Sequence, residues 1–96
     1  MYGNIKGSDL HGLIGKINII DVRKNYFFNL GHIPTSINIP SSYLLMYPNR
    51  YLNKDKEYYI YCSQGIESVK VCSNLSNLGY KVVNVLGGYQ DYTSNF

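Results

Sequence analysis

Long apolar runs are missing from this sequence. No stretch of its 96 residues approaches the ~20 apolar residues that cross a bilayer, and Met1 to Lys6 lacks the apolar core of a secretory leader. A membrane partner is therefore not expected, and the cytoplasm is the expected location. Charge is scarce too: only 16% of residues are charged, and nine basic against six acidic residues leave a net charge of +3. The basic residues, from Lys6 to Lys81, form neither a run nor a stripe, so nucleic acid has no electrostatic footprint to bind. Cysteine is limited to Cys62 and Cys72. In a reducing compartment both are expected as thiols, and a helix that carries Cys72 about two turns beyond Cys62 keeps them too far apart for a disulfide. Repeats, low-complexity tracts and linkers are absent.

What remains is the composition of a globular chain, 45% hydrophobic and of a length that suits one compact domain spanning 1–96. The sequence has eleven tyrosines. Tyr58, Tyr59 and Tyr61 lie in the best strand candidate, where β-propensity accounts for them better than base stacking does.

Strand and helix patterns alternate along the chain. Ile5 to Gly7 reads as a short strand, Ser8 to Ile14 as a helix capped by Ser8, and Lys16 to Arg23 as an apolar run suited to a parallel sheet. Lys24 to Leu30 reads as an irregular helix stopped by Gly31, and Ser36 to Pro40 as a short strand between prolines. A capped helix over Ser41 to Tyr47 ends at Pro48, and Asn53 to Lys56 is a solvated turn. Glu57 to Tyr61 is the central strand. A helix from about Ile66 carries an apolar stripe at Val69, Cys72, Leu75 and Leu78 and closes at Gly79. Tyr80 to Leu86 is the last strand, Gly87-Gly88 a sharp turn, and Tyr89 to Tyr92 a final helical turn. The order implies an α/β fold with a mainly parallel sheet.

Cys62 falls where the central strand hands over to that helix. Ligands of open α/β sheets bind beyond the carboxyl ends of strands, and a helix start offers unpaired N–H groups and a positive dipole end. A cysteine so placed gains thiolate character, the nucleophilic form. Cys62 is thus the candidate nucleophile, with Ser63, Gln64, Gly65, Ile66, Glu67 and Ser68 forming a loop of main-chain amides around it. Gly65 supplies the backbone freedom that a tight anion nest needs.

Four blocks, in order, carry a wider likeness: Ile19 to Arg23, Gly31-His32-Ile33-Pro34 through Pro40, Tyr61-Cys62 through Gly65 and Ser68, and Leu86-Gly87-Gly88. Together they resemble the single-domain rhodaneses over nearly the whole chain. The resemblance implies a three-layer α/β/α domain with a five-stranded parallel sheet, no metal or organic cofactor, and a cysteine that carries sulfane sulfur as a persulfide. The implied donor is thiosulfate or a persulfide. The implied acceptor is cyanide or a thiol, including a thiol on another protein, and covalent transfer in two steps implies ping-pong kinetics.

Glu67 departs from the family pattern, in which a basic or hydroxyl residue is common. Inside the pocket its carboxylate would oppose thiosulfate and the thiolate; facing out, it would only complement the helix dipole. Two smaller departures are the missing acid ahead of Gly31 and Tyr92 in place of a usual tryptophan. Asp21 and Arg23 read as a structural pair beside the site, since buried charges are usually paired. His32 reads as a packed or hydrogen-bonded loop residue, and Cys72 as a small buried hydrophobe rather than a resolving cysteine. The competing function is a catalytically quiet rhodanese-like binding or regulatory module. A cysteine phosphatase or arsenate reductase is disfavoured, because such enzymes need a loop arginine for a tetrahedral oxyanion and no arginine follows Cys62.

Overall fold

The computed structural model describes residues 1–94. Its five strands are β1 (Gly3–Lys6), β2 (Asn18–Asp21), β3 (Ile37–Asn38), β4 (Glu57–Tyr61) and β5 (Lys81–Leu86). They form one sheet in the order β1-β5-β4-β2-β3, and every adjacent pair is parallel. The helices are α1 (Asn25–Leu30), α2 (Ser41–Met46), α3 (Pro48–Tyr51), α4 (Ile66–Asn77) and α5 (Gly88–Thr93), with a 3-10 segment over Gly7–Leu13.

Parallel strands need crossovers, and these cover both faces of the sheet, so the inner strands are apolar on both sides. The two-residue period of β4 divides its side chains accordingly. Tyr58 and Ile60 join a core with Leu44, Leu52, Val71, Cys72 and Leu75 from α2, α4 and the chain after α3. Tyr61, fully buried, joins Leu10, Ile33, Val85 and Tyr92 in a second core beneath the 3-10 segment and α5, where Tyr59 packs partly buried. At ~1.5–3 kcal/mol for each large side chain, burial of this kind is the main force holding the layers together.

Several local expectations are corrected. The first helix is a 3-10 segment without a side-chain cap, and the Ser8 N–H donates instead to Asp91 Oδ2 at 2.9 Å. Ser41 does not cap α2 either; Pro40 precedes that helix, and no side-chain cap bond forms. Pro48 starts α3 rather than merely ending α2, because proline is pre-shaped for the first helical position. Gly31 closes α1 with its N–H on the Phe28 carbonyl, but in an extended conformation. A side chain there would meet the Tyr89 hydroxyl at 2.8 Å, so close approach is what calls for glycine. The buried face of α4 is Ser68, Val71, Cys72 and Leu75, whereas Val69 and Leu78 are exposed. The i, i+3, i+4, i+7 spacing holds, with a serine in the stripe where valine was expected.

Candidate active site

Register brings the site together. In the pairing of β2 with β4, Asp21 lies opposite Tyr61, and the Val22 N–H donates to the Tyr61 carbonyl at 3.0 Å. The chain leaving β2 therefore runs beside Cys62. Between them opens a cavity of about 450 Å3, walled on one side by Val22, Arg23, Lys24 and Phe27 and on the other by Cys62, Ser63, Gln64, Ile66 and Glu67; Pro40, Ser41 and Ser42 at the start of α2 complete it.

Cys62 is 4% exposed and forms part of the cavity wall. Two backbone amides converge on its Sγ: the Gly65 N–H at 3.2 Å and the Ser68 N–H at 3.3 Å. Gly65 reaches this geometry at φ 92°, a left-handed conformation that costs glycine little. Ile66 and Glu67 open α4, so their N–H groups have no carbonyl partner within the helix.

The rest of the loop is braced by α5. The Tyr89 N–H donates to the Cys62 carbonyl at 2.9 Å and the Gln90 N–H to the Ser63 carbonyl at 3.0 Å. In a planar trans peptide the N–H points opposite its carbonyl, so the Ser63 and Gln64 amides are turned away from α5. This brace needs the Gly87-Gly88 turn: a Cβ on Gly88 would collide with the Cys62 carbonyl oxygen and lie 2.8 Å from the Ser63 carbonyl carbon.

Behind the sulfur lies a polar relay that sequence patterning did not reveal. Ser68 and Asn84 are both fully buried; the Ser68 hydroxyl donates to Asn84 Oδ1 at 2.7 Å, and Asn84 Nδ2 donates to Asn4 Oδ1 at 3.2 Å. The Cys62 thiol faces the same hydroxyl at 3.4 Å. The available signal was a lone asparagine in the apolar strand Lys81–Leu86. The α5 brace had a signal too, the paired glycines.

Asp21 and Arg23 are a buried pair. Arg23 Nη2 lies 2.7 Å from Asp21 Oδ2 and donates at 2.7 Å to the Gly31 carbonyl, while the guanidinium stacks over the Tyr61 and Tyr89 rings. Burial works against the Arg23 charge, but hydrogen bonds and attraction from Asp21 outweigh it and raise its pKa. His32 sits on the surface, stacked on Phe28 and bonded to the Phe28 carbonyl at 2.9 Å, outside the cavity wall. Cys72 is a buried free thiol whose pKa is pushed up to about 12, chiefly by burial and then by the charge of Cys62. It stays protonated at neutral pH. Glu67 is solvent-exposed and at the same time part of the cavity wall.

With this geometry in view, sequence and fold comparisons agree. The family of the rhodanese-like domain matches residues 7–95. The chain belongs to the rhodanese-like domain family. Among its relatives is the "Putative sulfurtransferase YtwF" of Bacillus subtilis, 37% identical over 75 residues, which are 76% of this chain and 70% of that protein. The "Thiosulfate sulfurtransferase GlpE" of Coxiella burnetii is 28% identical over 98 residues, covering 99% of this chain and 91% of the relative. Two further Bacillus subtilis relatives are longer, and this rhodanese-like chain spans 42% and 61% of them. In three dimensions, the crystal structure of a rhodanese-related protein from Thermoplasma volcanium superposes with a TM-score of 0.87 at 35% identity, covering 98% of this chain and 93% of that one. A general role in sulfur transfer follows at the level of the family. Among the described residues, no helix is long and apolar enough to cross a membrane.

Proposed function

We propose that this chain, acting as one domain over 1–96, is a sulfurtransferase or sulfane-sulfur carrier whose nucleophile is Cys62. The observation that carries the reading is a sulfur in the wall of a cavity with the Gly65 and Ser68 amides aimed at it. The Cys62 thiolate attacks the outer sulfur of the donor, the donor's S–S bond breaks, and the leaving group departs as sulfite or a thiol. Cys62 then holds a persulfide, whose negative charge main-chain N–H groups of the Ser63 to Ser68 loop stabilise. An acceptor thiol or cyanide, free or on a protein, attacks that outer sulfur and releases the Cys62 thiolate. Arg23, held in place by the buried Asp21, shapes the adjoining wall, and neither takes part in the chemistry.

Mass measurement after incubation with thiosulfate, or with an organic or inorganic persulfide, tests this. The expected result is one added sulfur on the wild type and none on Cys62→Ser. No adduct from any donor would instead favour a catalytically quiet binding module, the reading that Glu67 in the cavity wall supports.

A further inference from the structure

The charges around the cavity are unevenly committed. Arg23 is paired with Asp21, donates to the Gly31 carbonyl and lies over two aromatic rings, so its charge is offset by Asp21 within the wall. Lys24 and Glu67 both line the cavity, and among the described residues neither is in an ion pair. The site thus offers one free cation and one free anion. The rest of the wall, around a volume of about 450 Å3, combines the apolar Val22, Phe27, Pro40 and Ile66 with the uncharged polar Ser41, Ser42, Ser63 and Gln64.

A compact dianion such as thiosulfate suits this wall poorly. Beyond the loop amides it would exchange hydration for partly apolar contacts, with a carboxylate nearby and a single unpaired lysine to offset two charges. The volume lies within the ~300–1,000 Å3 typical of clefts that hold organic ligands. We infer that Glu67 and Lys24 select, as sulfur donor, the persulfide of a small zwitterionic aminothiol, such as an amino-acid persulfide. Its ammonium pairs with Glu67, its carboxylate with Lys24, and its carbon chain packs on Phe27 and Ile66.

This specificity rests on Cys62 being the sulfur acceptor. The Cys62 thiolate bonds to the outer sulfur of R–S–SH as the donor S–S bond breaks, and its electron pair leaves with R–S. The products are Cys62–S–SH and the thiolate R–S⁻, so atoms, charge and electrons balance without an added oxidant.

The test compares the rate of Cys62 loading from cysteine persulfide with that from N-acetylcysteine persulfide, in the wild type and in Glu67→Gln. The two donors differ in the ammonium group, and the ratio between proteins cancels the bulk of the acetyl. Wild type is expected to favour the free amine by about fivefold, the scale of a partly exposed ion pair, and Glu67→Gln to lose that preference while gaining rate with thiosulfate. Lys24→Gln should slow both persulfides. Equal loading from both donors, unchanged by Glu67→Gln, would overturn the selectivity and leave Cys62 as the sulfur acceptor. If neither persulfide nor inorganic polysulfide loaded Cys62, the function proposed above would fall with it.

Discussion

Ser68 has one hydroxyl proton and two neighbours competing for it. The 2.7 Å bond to Asn84 Oδ1 claims the proton, which leaves an oxygen lone pair facing Cys62 Sγ at 3.4 Å. Turning the hydroxyl toward a sulfur anion would strand Asn84 Oδ1 in the core, so the main-chain amides are the donors that face the sulfur without that cost. Ser68→Ala removes the donor of a buried acceptor and should lower stability by about 1–3 kcal/mol. Ser68→Ala combined with Asn84→Leu should cost less than the sum of the single changes, because removing both buried partners leaves neither of them unpaired, while Asn4 is exposed to water. Urea denaturation of the four proteins of that cycle measures the coupling; strict additivity would show that the two side chains do not interact. This relay also marks a limit of reading apolar letters. Apolar spacing points to a helix face of Val69, Cys72, Leu75 and Leu78, but a partnered serine can be buried while valine and leucine remain outside.

At the level of elements, legibility followed how local the cause was. The bounds of β4 and the start of α4 could be read because propensity, periodicity and the Gly65 break all lie within the segments themselves. α3 could not, because proline both ends and begins helices and the sequence alone does not decide which. The cavity's facing wall, Lys24 and Phe27 with Ser41 and Ser42, was equally hidden, since it reaches Cys62 only through the pairing of β2 with β4. The α5 brace is the element most open to test. Gly88→Ala places a methyl against the Cys62 and Ser63 backbone at a position with φ 56°, so the loop must shift. We expect a fall in sulfur loading of at least about tenfold, consistent with small displacements of a reacting group costing up to ~10²-fold. Mass spectrometry and stopped-flow loading would measure it; wild-type kinetics would show that the brace does not shape the site.

For the molecule as a whole, two cores on opposite faces of one sheet bury groups that ionise only in alkali. Burial raises the pKa of the Tyr61 phenol, whose oxygen accepts the Ile33 N–H at 3.1 Å, and pushes the Cys72 thiol up to about 12 from 9.0. Between these limits the unfolded chain gives up the Cys72 proton while the folded chain keeps it. The unfolded state then binds fewer protons, so stability is intact below pH 9.0 and declines as pH rises toward about 12. The decline approaches ~1.4 kcal/mol per pH unit for each such group. Urea midpoints should therefore fall steadily above pH 9.0. Cys72→Ala should begin less stable and fall less steeply, with Tyr61 supplying the remaining slope; parallel curves would exclude Cys72 as a source.

The hydrogen bonds from Tyr89 and Gln90 to the Cys62 and Ser63 carbonyls come from a part of the chain synthesised well after the residues they hold. A synthetic peptide copying Tyr61 to Ser68 would have every letter of the loop and none of its shape. Grafting those letters onto a foreign scaffold would transfer an ordinary thiol, unless the glycine pair and the turn behind it were transplanted as well.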